Sequence, residues 1–175
     1  MKLIVIGCPG AGKSTLARTL SRELGLPLLH LDRIWHATDY SPQARQAFSQ
    51  QVETFMAEHE AWIIDGNYAN RLPQRLQQAD TVLWLDYPRW LCLYRVLVRT
   101  LKAVLFGAKR PDMAEQFRER LDKEYLAFLQ FVWQFPKTTY PKLEQALADF
   151  SGQVYRCRNS KQTQQVVQLI KQPPA

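Results

Sequence analysis

The chain has 175 residues, of which 46% are hydrophobic, and its formal net charge is +7. This length suits one domain with a sizeable core, and the apolar content excludes a disordered chain. The positive charge favours polyanionic ligands, a class that includes both nucleotides and nucleic acid.

The number and spacing of the cysteines and the lengths of the apolar runs indicate where in the cell the protein is located. Cys8, Cys92 and Cys157 are scattered and odd in number, which favours reduced thiols over a disulfide framework or a metal site. The first apolar run is too short for a signal peptide, and three cations interrupt the longest apolar stretch, at 90–106. We therefore expect a cytoplasmic protein that does not associate with membranes.

The amino-terminal segment contains the strongest motif of the chain. Residues 3–6 are apolar and mostly β-branched, which predicts a strand buried on both faces of a parallel sheet. The following residues match G-x-x-x-x-G-K-[ST], in which backbone N–H groups surround phosphate oxygens, Lys13 reaches the β- and γ-phosphates and Ser14 binds Mg²⁺. A helix beginning near Lys13 adds its positive end. The glycines of this segment are Gly7, Gly10 and Gly12.

A helix over 14–24, ending at Gly25, precedes a second apolar run at 27–32, which predicts a strand that ends in Asp32. In open α/β sheets ligands bind beyond the carboxyl ends of the strands. Asp32 is therefore a candidate base or ligand for an acceptor substrate, and the alternative is a helix N-cap.

An aromatic segment follows. Trp35, His36 and Tyr40 either stack on a base or cover a hydrophobic edge, and the sequence favours neither. Ser41 and the proline after it predict the start of a long helix that ends near residue 60.

Two further strands are predicted, at 61–65 and 81–85. The first ends in Asp65, at the same edge of the sheet as the phosphate-binding loop. An acidic residue in this position suits the water shell of Mg²⁺ beside a nucleotide, whereas the alternative is a simple Asp-Gly turn. Arg71 follows in a segment that we expect to form a loop and one or two helical turns.

A long helix is predicted over 90–106, with an apolar stripe formed by Leu93, Leu97 and Leu101. Three cations share a face of this helix because they recur at four and three residues. Aligned cations repel one another unless an anion lies opposite, so a phosphate-facing role is favoured over a solvated face. These cations are Arg95, Arg99 and Lys102.

The remaining third predicts an aromatic helix over about 117–135 that Pro136 ends, a short helix up to residue 150, an edge strand at 153–158 and a last amphipathic helix. Five strands that alternate with helices behind a phosphate loop predict an α/β fold with a five-stranded parallel sheet in three layers. We expect a single domain over 1–175.

Several segments resemble adenylate kinase and its small P-loop kinase relatives. GCPGAGKST resembles their phosphate loop, IIDGNYANR their strand that ends in Asp-Gly, and DYP with Arg95 and Arg99 their Asp-x-Pro strand end and the two arginines before the lid. FRERL, with Arg118, resembles the arginine-bearing helix after the lid. HLDRIWH and DGNY resemble the branch of DNA-topology-modulation, or flagellar-regulator-like, proteins.

The resemblance implies a P-loop kinase fold with a small helical lid at about 100–135, and a role for each matching residue. Ser14 and Asp65 would hold Mg²⁺, and Arg95, Arg99 and Arg118 would clamp the transferring phosphoryl group. The residues implied in ATP binding are Gly7, Pro9, Gly10, Ala11, Gly12, Lys13, Ser14, Thr15, Arg158, Asn159 and Lys161.

The acceptor side departs from adenylate kinase, because Leu-Asp-Arg-Ile-Trp replaces the usual Thr-Gly-Asp segment and Asn-Tyr replaces Phe-Pro. If the acceptor is an alcohol, Asp32 is the candidate base; if it is a phosphate, Arg33 or Arg71 would hold it. The residues predicted to bind the acceptor are Asp32, Arg33, Trp35, Asn67, Tyr68 and Arg71.

These features predict an ATP- and Mg²⁺-dependent kinase of a small molecule, such as a nucleoside, a nucleotide or a related alcohol, with Lys13 and the arginines as catalytic groups. One alternative is a nucleotide-dependent regulator that binds DNA through its positive charge. Another is a P-loop NTPase without a small acceptor. The sequence leaves the oligomeric state open.

Overall fold

The computed structural model describes residues 1–107, 111–113 and 122–171. A five-stranded sheet in the order β2-β3-β1-β4-β5 forms its centre, and every pair of neighbouring strands is parallel. The predicted α/β fold with a five-stranded parallel sheet is confirmed. The elements are β1 (Lys2–Gly7), α1 (Lys13–Leu24), β2 (Leu28–His30), α2 (Leu31–Trp35), α3 (Pro42–Glu58), β3 (Trp62–Asp65), a 3₁₀ helix (Ala69–Arg71), α4 (Leu72–Leu76), β4 (Thr81–Leu85), α5 (Arg89–Phe106), α6 (Lys123–Thr138), α7 (Tyr140–Leu147), β5 (Gln153–Cys157) and α8 (Ser160–Lys171).

β1 is the central strand and places the phosphate-binding loop. Its apolar residues are fully buried, and Ile4 lies between Ile64 of β3 and Val82 of β4. The chain passes from β1 to β2 and β3 on one side and to β4 and β5 on the other. The crevice at the carboxyl end of β1 is therefore the topological switch point, which is where open α/β sheets bind their ligands.

The predicted end of α1, the predicted start of α3 and the edge position of β5 are confirmed. Gly25 ends α1 in the left-handed conformation, with φ of 65°. Ser41 caps α3, because its side chain accepts a hydrogen bond from the N–H of Ala44 at 3.1 Å. β5 pairs with β4 at the edge of the sheet, as its alternating pattern predicts.

β2 is shorter than predicted. It ends at His30, which is the N-cap of α2, so Asp32 lies in the first turn of a short helix and is neither a strand end nor the N-cap. The reason is the length of its partner strand: His30 lies opposite Asp65, the last residue of β3, so no backbone partner exists beyond it.

The prediction that Leu93, Leu97 and Leu101 form the packed apolar face of α5 is wrong. The buried residues of this helix are Cys92, Val96 and Thr100, whereas Leu97 and Leu101 are exposed. The phosphate loop sets the rotation of α5, because a Cβ atom at Gly10 would lie 2.3 Å from the carbonyl oxygen of Cys92. In the described part of the chain, no helix is long and apolar enough to cross a membrane.

Pro136 does not end the aromatic helix but lies inside α6, which continues to Thr138. A proline in a helix lacks the N–H that would bond the carbonyl four residues earlier. That carbonyl, of Val132, instead accepts a hydrogen bond from the Cys8 thiol at 3.7 Å. The interruption thus joins α6 to the phosphate loop.

We expect Gly7→Ala to destabilise the fold more than Gly25→Ala. Both glycines have positive φ, of 143° and 65°, but a Cβ atom at position 7 would lie 2.3 Å from the carbonyl oxygen of Leu85, and one at position 25 would meet no atom within 4 Å. Gly25→Ala should cost about 1–2 kcal/mol, the strain of a left-handed L-residue. Urea unfolding measures both values, and equal losses would contradict the packing assigned to Gly7.

Candidate active site

A cleft of about 1380 Å³ opens at the carboxyl edge of the sheet. Its walls are the phosphate loop, α5, the beginning of α6 and the segments that follow β2 and β3. It contains residues predicted for both ATP and the acceptor. The predicted site residues that line it are Pro9, Gly10, Ala11, Gly12, Lys13, Ser14, Thr15, Asp32, Asn67, Tyr68, Arg95 and Arg99.

The phosphate loop has the geometry of an anion site. Gly10 and Gly12 have positive φ, of 86° and 98°, and a Cβ atom at Gly12 would meet no atom within 4 Å, so this part of the backbone is open to a ligand. α1 begins at Lys13, and its first turn contains no acidic residue. Its amino end and the Lys13 ammonium group therefore favour a bound phosphate. The Lys13 Nζ donates to the carbonyl oxygen of Cys8 at 3.2 Å.

Two of the three cations predicted to share a face of α5 lie in the cleft. Arg95 donates to the carbonyl oxygen of Ala11 at 3.3 Å, and its guanidinium lies 5.2 Å from the ring centroid of Tyr87. Arg99 lines the cleft one turn further along the helix. Lys102 is exposed and does not line the cleft. The rotation of α5 thus brings two arginines, and not the lysine, into the lining of the cleft.

Asp32 lines the cleft from the first turn of α2. Its Oδ1 accepts a hydrogen bond from the hydroxyl of Tyr68 at 3.0 Å. Burial, together with the nearby Asp32 carboxylate, raises the pKa of Tyr68, so its hydroxyl keeps its proton and remains a donor. The carboxylate is therefore held by Tyr68, and Asp32 lines the same cleft as the phosphate loop.

The sequence leaves two roles open for the aromatic residues after Asp32, stacking on a base or covering a hydrophobic edge, and the structure places these residues differently. Trp35 packs edge-to-face against Phe48 at 5.7 Å and against Tyr68 at 6.4 Å, and it does not line the cleft. His36 and Tyr40 do line it, with the Tyr40 hydroxyl 3.0 Å from His36 Nδ1. Trp35 therefore covers the hydrophobic edge, and the other two form a wall of the cleft.

Asn67 bonds the backbone of the phosphate loop directly. Its Oδ1 accepts from the N–H of Gly7 and its Nδ2 donates to the carbonyl oxygen of Gly7, both at 2.9 Å. This side chain thus fixes the position at which β1 enters the loop.

Arg75 was not identified from the sequence. It is 2% exposed, and its guanidinium donates to the carbonyl oxygens of Gly66 at 3.0 Å and of Asn67. Burial lowers its pKa to about 10. From sequence alone, an arginine in a short helix is predicted to be exposed. The one signal for a buried arginine is indirect: the carbonyl groups of the tight Asp-Gly turn need hydrogen-bond donors.

Asp65 is predicted to hold Mg²⁺, and the structure places it at the end of β3, where the next residue, Gly66, lines the cleft. It is 4% exposed, its Oδ2 lies 2.8 Å from His30 Nδ1, and its Oδ1 is buried without a hydrogen-bond partner among the described residues. A buried carboxylate oxygen without a partner is costly, so a donor such as a metal-bound water fits here.

The other predicted site residues lie away from the cleft lining or outside the described residues. Arg33 is exposed, and Arg71 donates to the carbonyl oxygen of Arg45 at 3.2 Å. Asn159 caps the start of α8, because its Oδ1 accepts from the N–H of Gln162 at 2.9 Å. Arg158, Asn159 and Lys161, which are predicted to bind ATP, are exposed. Arg118 lies outside the described residues. The roles of these four residues stay predictions.

A glycine-rich loop between a strand and a helix, on a parallel sheet with arginines opposite, defines a P-loop nucleotide-binding protein. The model of the AAA domain family matches residues 3–128, which is well over half of the chain. The chain belongs to this family.

Individual relatives are kinases. A shikimate kinase of Mycobacterium marinum is 29% identical over 130 residues, which cover 67% of this chain and 69% of that protein. Shikimate kinase of Bacteroides thetaiotaomicron has a similar fold, with a TM-score of 0.58 at 15% identity over 98% of this chain and 96% of the other. Shikimate kinase of Acinetobacter baumannii, solved in complex with shikimate, gives 0.56 at 18% identity over 97% and 92%. The family match and these relatives confirm the prediction that the protein is an ATP-dependent kinase of a small molecule.

We expect Arg95→Ala to lower kcat/KM for ATP by about 100-fold or more, because a positioned cation that stabilises charge in the transition state typically contributes this much. Lys102→Ala, on the same helix but outside the cleft lining, is the matched control and should stay within about twofold of the wild type. Steady-state kinetics measure both. Similar losses in the two variants would contradict the rotation assigned to α5.

Proposed function

We propose that the protein transfers the γ-phosphoryl group of ATP to a hydroxyl group of a small acceptor. The observation that carries this proposal is the position of the Asp32 carboxylate, which faces the same cleft as the phosphate loop. A P-loop NTPase without an acceptor would need no such carboxylate in the cleft that holds its nucleotide.

Phosphoryl transfer requires alignment and charge neutralisation more than covalent chemistry. In this proposal the backbone of 7–15 and Lys13 hold the phosphates of ATP, while Arg95 and Arg99 approach the transferring group from α5. The cleft excludes part of the water, which strengthens these interactions and limits hydrolysis. The oxygen of the acceptor hydroxyl attacks the γ-phosphorus in line, the bond between that phosphorus and the β–γ bridging oxygen breaks so that ADP leaves, and the hydroxyl proton passes to Asp32.

Ser14 and Asp65 would hold Mg²⁺, Ser14 through its hydroxyl at the start of α1 and Asp65 through a metal-bound water at the end of β3. The buried Oδ1 of Asp65, which has no partner among the described residues, supports this assignment. When bound, the metal ion neutralises charge on the β- and γ-phosphates.

The geometry supports an alcohol as the acceptor. Asp32 and Tyr68 offer a carboxylate and a hydroxyl, which recognise an acceptor hydroxyl. Arg33 and Arg71 do not line the cleft, so neither supports the alternative of a phosphate acceptor. Two classes of alcohol follow: the nucleoside predicted from the sequence, and a cyclic polyol such as the shikimate bound by the relative from Acinetobacter baumannii.

We further infer that the chain belongs to the DNA-topology-modulation branch of small P-loop kinases and works in the cytoplasm. HLDRIWH and DGNY support the branch, and three free, buried cysteines support a reducing compartment. In this proposal the chain is one domain, and the segment at about 100–135 is its lid. Asp112 of that segment lines the cleft and lies 3.6 Å from Arg18 of α1.

The test is ADP release from Mg·ATP across a panel of nucleosides, nucleoside monophosphates, shikimate and other small polyols, with duplex DNA as a further addition. We expect one alcohol to stimulate release and to carry the phosphate afterwards, and Lys13→Ala to abolish the stimulation. Stimulation by DNA alone, with affinity that falls steeply with salt, would favour the regulator instead.

Asp32→Asn should lower kcat with the stimulating alcohol by about 100- to 10,000-fold, the usual contribution of a general base, with a small effect on the KM for ATP. Asp39→Asn is the matched control, because Asp39 belongs to the same segment but is exposed and does not line the cleft. Near-normal turnover of Asp32→Asn would show that Asp32 is not the base.

A further inference from the structure

The loop at 66–68 contacts both halves of the cleft. Through Asn67 it makes two hydrogen bonds of 2.9 Å with the backbone of Gly7, where the phosphate loop begins. Through the Tyr68 hydroxyl it holds the carboxylate of Asp32 at 3.0 Å. Neighbouring residues of one short segment thus join the nucleotide side and the acceptor side.

The backbone of this loop is unusual. Gly66 has φ of 138°, and Tyr68 has φ of 39°, in the left-handed region that residues other than glycine rarely adopt. Gly66 packs so closely on α2 that a Cβ atom there would lie 2.9 Å from the Cβ of Leu31. A backbone of this kind persists only where the surrounding structure holds it in place.

Arg75 supplies that support. Its Nη1 donates to the carbonyl oxygen of Gly66 at 3.0 Å, and its Nη2 donates to those of Asn67 and Tyr68, the latter at 3.4 Å. Its Nε lies 3.5 Å from the carbonyl oxygen of Arg71. One planar guanidinium therefore contacts every carbonyl group of the loop at 66–68.

The cost of burying this charge shows how specific the arrangement is. Arg75 is 2% exposed, and a buried cation is costly unless hydrogen bonds compensate its lost hydration. Its partners in the described part of the chain are carbonyl oxygens rather than carboxylates, so the loop itself supplies the compensation. A lysine has no planar fork and cannot reach the same set of oxygens at once.

We propose that Arg75 is a positioning residue that couples the two halves of the cleft. By holding the loop at 66–68 in one conformation, it keeps Asn67 on Gly7 and Tyr68 on Asp32 at the same time. Nucleotide bound at the phosphate loop then orders the segment around Asp32. This inference depends on nucleotide binding at the phosphate loop and not on which acceptor is used.

Hydrogen exchange measured by mass spectrometry, with Mg·ADP as the probe, tests the coupling without an acceptor. In the wild type, Mg·ADP should slow exchange in peptides that cover 7–15, 66–68 and 31–36. In Arg75→Lys, at saturating Mg·ADP, protection of 7–15 should persist while protection of 31–36 falls by at least half. Arg22→Lys, at an exposed arginine of α1, should behave as the wild type.

If Arg75→Lys does not fold, Asn67→Ala and Tyr68→Phe test the same coupling one contact at a time. At saturating Mg·ADP, Tyr68→Phe should leave protection of 7–15 and lose protection of 31–36, and Asn67→Ala should lower protection of 31–36 more than that of 7–15. Full protection of 31–36 in these variants, or its absence in the wild type while 7–15 is protected, would overturn the proposal. A parallel loss in all peptides would overturn it as well, because Arg75 would then only stabilise the fold.

Failure of the proposed function has a different signature. If Mg·ADP protects no peptide of the wild type, nucleotide binding itself is refuted. The positioning claim is then decided without nucleotide. Exchange in Arg75→Lys that is faster than in Arg22→Lys at 66–68 but not in the peptides outside the cleft supports it, and equal or uniformly faster exchange overturns it.

Discussion

The structure depends on the close approach of the phosphate loop to its neighbours. A Cβ atom at Gly7 would lie 2.3 Å from a backbone carbonyl of β4, and one at Gly10 equally close to a carbonyl of α5. Only glycine permits both contacts. They bring the loop against the end of β4 and set the rotation of α5, and that rotation decides that Arg95 and Arg99 enter the cleft. One constraint on backbone packing thus places the cations as well as the loop.

The cleft is assembled at one edge of the sheet from segments that are distant in sequence. β1 delivers the phosphate loop, β2 leads to Asp32, and β3 leads to Asn67 and Tyr68. Their positions agree because parallel strands end at the same edge. The hydrogen bonds from Asn67 to Gly7 and from Tyr68 to Asp32 then join these ends side by side. An arrangement of this kind suits a reaction that needs two substrates in fixed alignment.

Much of this could be predicted from the sequence where the signal is local. The buried strand, the glycine motif, the Ser41 cap and the β4 strand are each determined by a few adjacent residues, and all appear in the structure. The end of β2, the buried face of α5 and the role of Arg75 could not be predicted, because each is decided by a partner elsewhere in the chain. For Arg75 that partner is a set of backbone carbonyl groups. Because every residue has such a group, the amino-acid sequence does not show which ones Arg75 binds.

The most direct test of the kinase assignment follows the γ-phosphoryl group of ATP in H₂¹⁸O with the acceptor that stimulates ADP release. Transfer to an acceptor hydroxyl takes no oxygen from water, so mass spectrometry should find an organic phosphate without ¹⁸O. Inorganic phosphate that carries one ¹⁸O atom, in an amount equal to the ADP formed, would show that water is the acceptor and would contradict the account.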